Sequence, residues 1–142
     1  MIYHGNRFKL KAGVTQEQIE EALELMHTQG REIPVVKSYL VGREFGSGGF
    51  DWGAVFALED LDAYWDYLTH PAHTRTEREG MRLLERFEAY DITDDDDPDF
   101  AAKVAALQQR HRDTDPVLKD LLAELPVNTG VSAVPAAGSG AA

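Results

Sequence analysis

Residues 64–73, Tyr-Trp-Asp-Tyr-Leu-Thr-His-Pro-Ala-His, place Tyr67, His70 and His73 within seven positions. An imidazole titrates near neutrality, so it can take or give a proton without much tuning. A phenol beside it can donate a hydrogen bond to a carbonyl oxygen on which charge develops. The pair therefore suits proton transfer at a carbonyl compound. Spacing says how it would be aimed. Tyr67 and His70 lie three apart and share a helical face. Pro71 has no N–H, and its ring clashes with the carbonyl four residues back, that of Tyr67. A helix should stop or kink at His70, which would satisfy the carbonyls left loose there. His73 falls past the break, free to turn back toward Tyr67.

Other uses of the histidines are weaker. His70 and His73, with His4 from a strand, could offer three nitrogens to zinc. Pro71 disrupts the spacing that would point them at one ion, and no carboxylate clearly joins them, so no metal is expected. Nothing specific supports haem or any other cofactor. His27 and His111 read as surface residues, and Asp51 and Asp66 as solvated.

The elements that must hold this pair follow from periodicity. Residues 2–10 alternate as a strand, with Ile2, His4, Asn6, Phe8 and Leu10 on one side. A face mixing His4 and Asn6 with Phe8 is a wet core edge or a pocket wall. Thr15 and Gln18 form a capping box for a helix with the stripe Ile19, Ala22, Leu23, Met26, ended by Gly30. Residues 33–45 read as a long strand, with Val35, Tyr39 and Val41 on one side. The glycine-rich stretch 46–49 opens another strand, not a helix, so it predicts a hairpin loop and not a phosphate cradle. Residues 50–58 form that strand, with Trp52, Ala54, Phe56 and Leu58 on one face. A helix starting at Glu59-Asp60 carries the motif, a further helical segment spans 75–84, and 85–93 is a fourth strand. The order β-α-β-β-α-β predicts an α+β, ferredoxin-like domain over residues 1–93. Its helices cover one side of the sheet. Tyr3, Val35, Tyr39 and Val41 are candidates for the bare side, which a second copy would cover. The run Asp94–Asp97 with Pro98 marks a boundary. Beyond it, 94–126 is an acidic linker and helical extension with apolar stripes at Phe100, Val104, Leu107 and at Val117, Leu118, Leu121, Leu122, Leu125. The uncharged residues 127–142 predict a disordered tail.

The Tyr-Leu-x-His-Pro-x-His pattern of residues 67–73 resembles the signature of the stress-responsive dimeric α/β-barrel family. Residues 8–14, the Ile33-Pro34 turn, Val41-Gly42-Arg43 and Tyr90-Asp91 extend the similarity over 2–93. The resemblance implies a dimeric α/β barrel built from two sheets. It also implies chemistry, since a member of the family closes a linear polyketide thioester by aldol condensation without cofactor or metal. On that likeness His73 is the base, Tyr67 holds the carbonyl oxygen and His4 is a further pocket histidine. Its pocket walls fall on Ala22, Leu23, Met26, Trp52, Ala54, Leu84 and Phe87, beside Asn6 and Phe8 from the first strand. The expected activity is a cofactor-independent cyclase or lyase acting on a small hydrophobic, phenolic or polyketide substrate. Two alternatives stand beside it. One is cofactor-free monooxygenation of a phenolic substrate. The other is a non-enzymatic, stress-responsive or ligand-binding oligomer.

Composition narrows the partners. The 142 residues are 43% hydrophobic, enough for one core. A net charge of -11 argues against nucleic acid and anionic membranes, both of which need clustered Lys and Arg. No cysteine is present, which excludes disulfides and thiolate chemistry. With no apolar run long enough to span a bilayer, these features lead us to expect a cytoplasmic protein; the homodimer expectation rests on the bare side of the sheet and on the resemblance.

Overall fold

The computed structural model describes residues 1–133. The element order is β1 (Ile2–Leu10), α1 (Gln16–Glu32), β2 (Ser38–Arg43), β3 (Trp52–Leu58), α2 (Leu61–Thr69), α3 (Pro71–Gly80), a 3-10 turn (Met81–Leu83), β4 (Leu84–Thr93), α4 (Phe100–Asp113), α5 (Pro116–Glu124) and β5 (Val127–Gly130). The sheet runs β2-β3-β1-β4-β5, antiparallel except for the parallel β4–β5 pair. This is the expected ferredoxin-like α+β fold with C-terminal helices added.

Local chemistry sets the helix ends. Thr15 and Gln18 form the capping box of α1. The Asp60 carboxylate accepts from the Ala63 N–H and caps α2. Three boundaries differ from expectation. The second strand begins at Ser38, because Ile33 caps the end of α1 and Pro34, lacking an N–H, sits in the turn that follows. Pro71 starts a helix: at the first helical position its missing N–H costs nothing, so α3 begins there and not at residue 75. Gly30 lies inside α1, where a Cβ would stand 2.3 Å from the Tyr39 ring. Its role is close helix–sheet approach, not termination.

The helix-facing side of the sheet supplies Ile2, Phe8, Phe56 and Leu58, and α2 lays Tyr64 and Tyr67 on them, all fully buried. Tyr39 and Val41 also face this side and pack on the core, against the expectation that they lie on the bare side. The bare side carries Tyr3, as expected, with Leu40 and Ile92 beside it, exposed by 46%, 69% and 62%.

The extension docks on the domain. Asp115 caps α5 by accepting from the Leu118 N–H, and its carboxylate receives both 2.9 and 3.0 Å bonds from Arg78 Nη2 on α3. Of the tail expected to be disordered, Val127–Gly130 form β5 along the edge of β4, because that edge has unpaired backbone groups to satisfy. The rest of the tail expectation, from residue 134, lies outside the described residues.

Candidate active site

Register brings the strand residues together. On the helix-facing side β1 and β4 pair His4 with Asp91, Asn6 with Ala89 and Phe8 with Phe87. Above them, α2 and α3 meet at one residue. His70 ends α2, its N–H reaching the Tyr67 carbonyl at 3.3 Å, and starts α3, its Nδ1 accepting from the Ala72 N–H at 3.0 Å. His70 is thus a cap for the second helix and does not line the cavity. With no loop between the helices, His73 sits in the first turn of α3. Its ring stands edge-on to that of Tyr67, centroids 4.8 Å apart.

Two polar networks flank this pair. In the first, His4 Nδ1 lies 2.8 Å from Asp91 Oδ1 and 2.9 Å from the Tyr64 hydroxyl. Tyr64 donates to Asp91 Oδ2 at 2.9 Å and accepts from Gln108 Nε2 at 2.9 Å. Burial, and then the Asp91 charge, push the Tyr64 phenol well above its usual range, so it keeps its proton. In the second, Glu77 is buried between two histidines. Its Oε1 lies 3.3 Å from His73 Nδ1 and its Oε2 lies 3.1 Å from His111 Nε2. Burial alone would raise this carboxyl, but the His73 charge and the His111 hydrogen bond outweigh it and hold it at about 2. Tyr67 donates to Gln29 Oε1 at 2.6 Å. Burial and the charges of Glu77 and Asp91 push its phenol far up, so it keeps its proton and can donate it in a hydrogen bond.

A cavity of about 70 Å³ lies among these groups. His4, Asn6, Tyr67 and His73 line it, as do the apolar Phe8, Ala22, Met26, Leu84 and Phe87. Three expected wall residues do not. Ala54 is buried in the core away from it, and Leu23 and Trp52 are half-buried, packed against the outside of the core. The far wall comes from the extension, which supplies Gln108, His111, Arg112, Leu118 and Leu122. His111 was expected on the surface and is 5% exposed; His27 is half-buried, edge-on to Tyr39.

Sequence reasoning missed Gln29, Glu77 and the three polar residues of α4. Glu77 stands four residues after His73, a spacing that faces it only once α3 is known to start at Pro71. On α4 the buried residues are Val104, Gln108, His111 and Arg112, spaced at four, three and one. That face is mostly polar, so a search for apolar periodicity passes over it. Among the described residues, Asn6 Oδ1 and Arg112 Nη1 are buried with no hydrogen-bond partner, and both residues line the cavity, where a ligand could engage them.

The fold has close parallels. A dimeric ferredoxin-like protein of unknown function from Thermobifida fusca is 26% identical, over 65% of this chain and 89% of that one, with a TM-score of 0.58. A Dabb family protein with a ferredoxin-like fold from Mesorhizobium loti is 22% identical, over 65% and 94%, at 0.59. A hydroxynitrile lyase from Passiflora edulis is 14% identical, over 67% and 94%, at 0.61. No curated protein matches the chain. The model of the Dabb family, described as the stress responsive A/B barrel domain, matches residues 2–94, well over half of the chain and ending before α4 begins at Phe100. The chain belongs to the stress-responsive A/B barrel (Dabb) family.

Proposed function

We propose that this protein is a homodimeric, cytoplasmic cyclase or lyase that moves a proton on a small carbonyl substrate without a cofactor. The ring contact between Tyr67 and His73 on the cavity wall carries this reading. With His73 Nδ1 beside Glu77, the opposite nitrogen is the one left to take an acidic proton next to a carbonyl. Tyr67, held protonated by burial, donates to the oxygen on which charge develops. Its hydroxyl has one proton, now given to Gln29, so the substrate oxygen must displace that side chain. Ring closure of aldol type, as in a polyketide cyclase, or bond cleavage as in a lyase, both begin with this transfer. The Passiflora hydroxynitrile lyase supports a lyase on the same fold. The cavity holds only a few water-sized molecules at roughly 10–15 Å³ each, so a larger substrate enters when the cap formed by α4 and α5 lifts.

Replacing His73 by alanine tests the base. General-base catalysis contributes about 10²–10⁴-fold, so kcat on a β-dicarbonyl substrate should fall by that order while the circular dichroism spectrum is kept. Normal turnover by the variant refutes the role. The internal Tyr67–Gln29 bond favours a second reading, a ligand-binding oligomer with no chemistry. Stoichiometric ligand binding with no turnover in the wild type would select it.

The dimer follows from the bare side of the sheet. Tyr3, Leu40 and Ile92 form an apolar surface there that soluble monomers seldom leave open. Pairing two such faces gives a self-complementary contact within the ~1,200–2,000 Å² of stable complexes. Light scattering at micromolar concentration should give twice the chain mass of 15.8 kDa. A monomer would overturn it.

A further inference from the structure

His73 and Glu77 stand one turn apart on α3, and α4 brings His111 against them. The three donor atoms all lie within 4.8 Å of one another. The two contacts inside the group differ in kind. His111 Nε2 and Glu77 Oε2 make a hydrogen bond at 3.1 Å. His73 Nδ1 and Glu77 Oε1 are 3.3 Å apart, yet among the described residues neither has a hydrogen-bond partner, and both are buried. At that distance they stand as an ion pair without hydrogen-bond geometry, so their bonding capacity is left for something that binds between them.

Donors bound at about 2.0–2.2 Å to one tetrahedral ion stand roughly 3.3 Å from each other. The Glu77–histidine separations are close to that figure, 3.3 Å from Oε1 to His73 and 3.1 Å from Oε2 to His111, so the carboxylate lies between the two imidazoles with one oxygen toward each. Two imidazoles and one carboxylate suit zinc, cobalt or nickel better than calcium or magnesium, which prefer oxygen alone. All three side chains line the cavity, so the remaining coordination position opens onto it.

We propose that His73, Glu77 and His111 form a binding site for one divalent transition-metal ion of the zinc class. The claim goes beyond the proton-transfer reading and constrains it. An ion on His73 Nδ1 takes that imidazole's lone pair, and the opposite nitrogen then carries its proton and cannot accept another. Metal occupancy and general-base action by His73 are mutually exclusive. The ion also joins α3 of the family domain to α4 of the extension, so it holds the cap closed over the cavity.

The test uses the full chain, stripped with a chelator and dialysed, then titrated with zinc chloride by calorimetry and with cobalt(II) by visible absorption. The expected result is one ion per chain, with the strong visible bands of a four-coordinate cobalt site. His111→Gln and Glu77→Gln should each weaken binding by about 100-fold or more, since even outer-shell changes cost about 10–100-fold. His27→Gln, remote from the site, controls for adventitious binding and should change nothing. Absence of stoichiometric binding overturns the proposal, as does binding that survives both His111→Gln and Glu77→Gln with circular dichroism unchanged. These readouts need no turnover, so they stand or fall apart from the proposed activity. If the protein proves active, zinc should inhibit it, and the inhibition should be lost in His111→Gln.

Discussion

Replacing Leu118 by alanine should loosen the cap without touching the Tyr67–His73 pair. Leu118 is 1% exposed, lies in the first turn of α5 and contributes to the cavity wall. Leucine-to-alanine changes at buried sites cost about 2–5 kcal/mol, combining lost transfer energy with the void left behind. Here one side of the leucine already borders the 70 Å³ cavity. The new space joins that cavity and admits water, so the cost belongs in the lower part of the range, ~2–3 kcal/mol. For a chain of this length each kcal/mol moves Tm by about 3–4 °C, giving a fall of ~6–12 °C. Urea unfolding should be followed by circular dichroism and by tryptophan fluorescence together. Trp65 is a local reporter, because Arg110 of α4 lies over its ring at 4.0 Å. If the extension is part of one cooperative unit, both probes shift together. A cost under ~1 kcal/mol, or a fluorescence change at low urea with no matching loss of helix signal, would refute the docking of α4 and α5. Leu122→Ala, on the same face of α5 and also against the cavity, should repeat the result.

Three further outcomes are expected. Tyr67→Phe leaves the buried Gln29 acceptor without its donor and should cost ~1–3 kcal/mol in urea unfolding, while turnover falls by about 10²–10³-fold. In chelator-treated protein, Glu77 contributes stability that is full above pH 4.5 and is lost as pH falls toward about 2, because its folded value is depressed. The sum is about 3 kcal/mol at 1.36 kcal/mol per unit, and Glu77→Gln should flatten this acid limb of the unfolding curve, reported against the facing His73, His111, Tyr67 and Asp115. Gly30→Ala places a methyl 2.3 Å from the Tyr39 ring, so the ring must move and unfolding should become easier by ~1–3 kcal/mol.

The domain itself was legible because its signals are local. The alternation of β1, the capping box at Thr15 and the acid start of α2 each act over a few residues, and each survives in the fold. The Tyr67–His73 meeting was also readable, since a proline forces a break there whichever helix it belongs to. What the break does was not. The same ring that stops a helix is favourable at the first position of the next one, and only tertiary packing decides whether a next one follows at once. That decision hid Glu77, whose partnership with His73 depends on helical spacing from Pro71. His111 and Gln108 were hidden for a different reason. They reach Glu77 and Tyr64 across 34 and 44 residues, and a polar helix face carries no mark of what it will touch.

The sheet order places β1 at the centre, and β1 is made before either of its neighbours. Its two neighbours are β3, ending at Leu58, and β4, ending at Thr93. At about 5–20 residues per second, the strand waits for several seconds before either edge is paired on the ribosome. During that time a long apolar segment would be a template for misassembly with other chains. The sequence Ile-Tyr-His-Gly-Asn-Arg-Phe-Lys-Leu never has more than two apolar residues in a row, and it carries Arg7 and Lys9. The polar residues that furnish the cavity from β1, His4 and Asn6, therefore also keep a nascent strand soluble until its partners arrive.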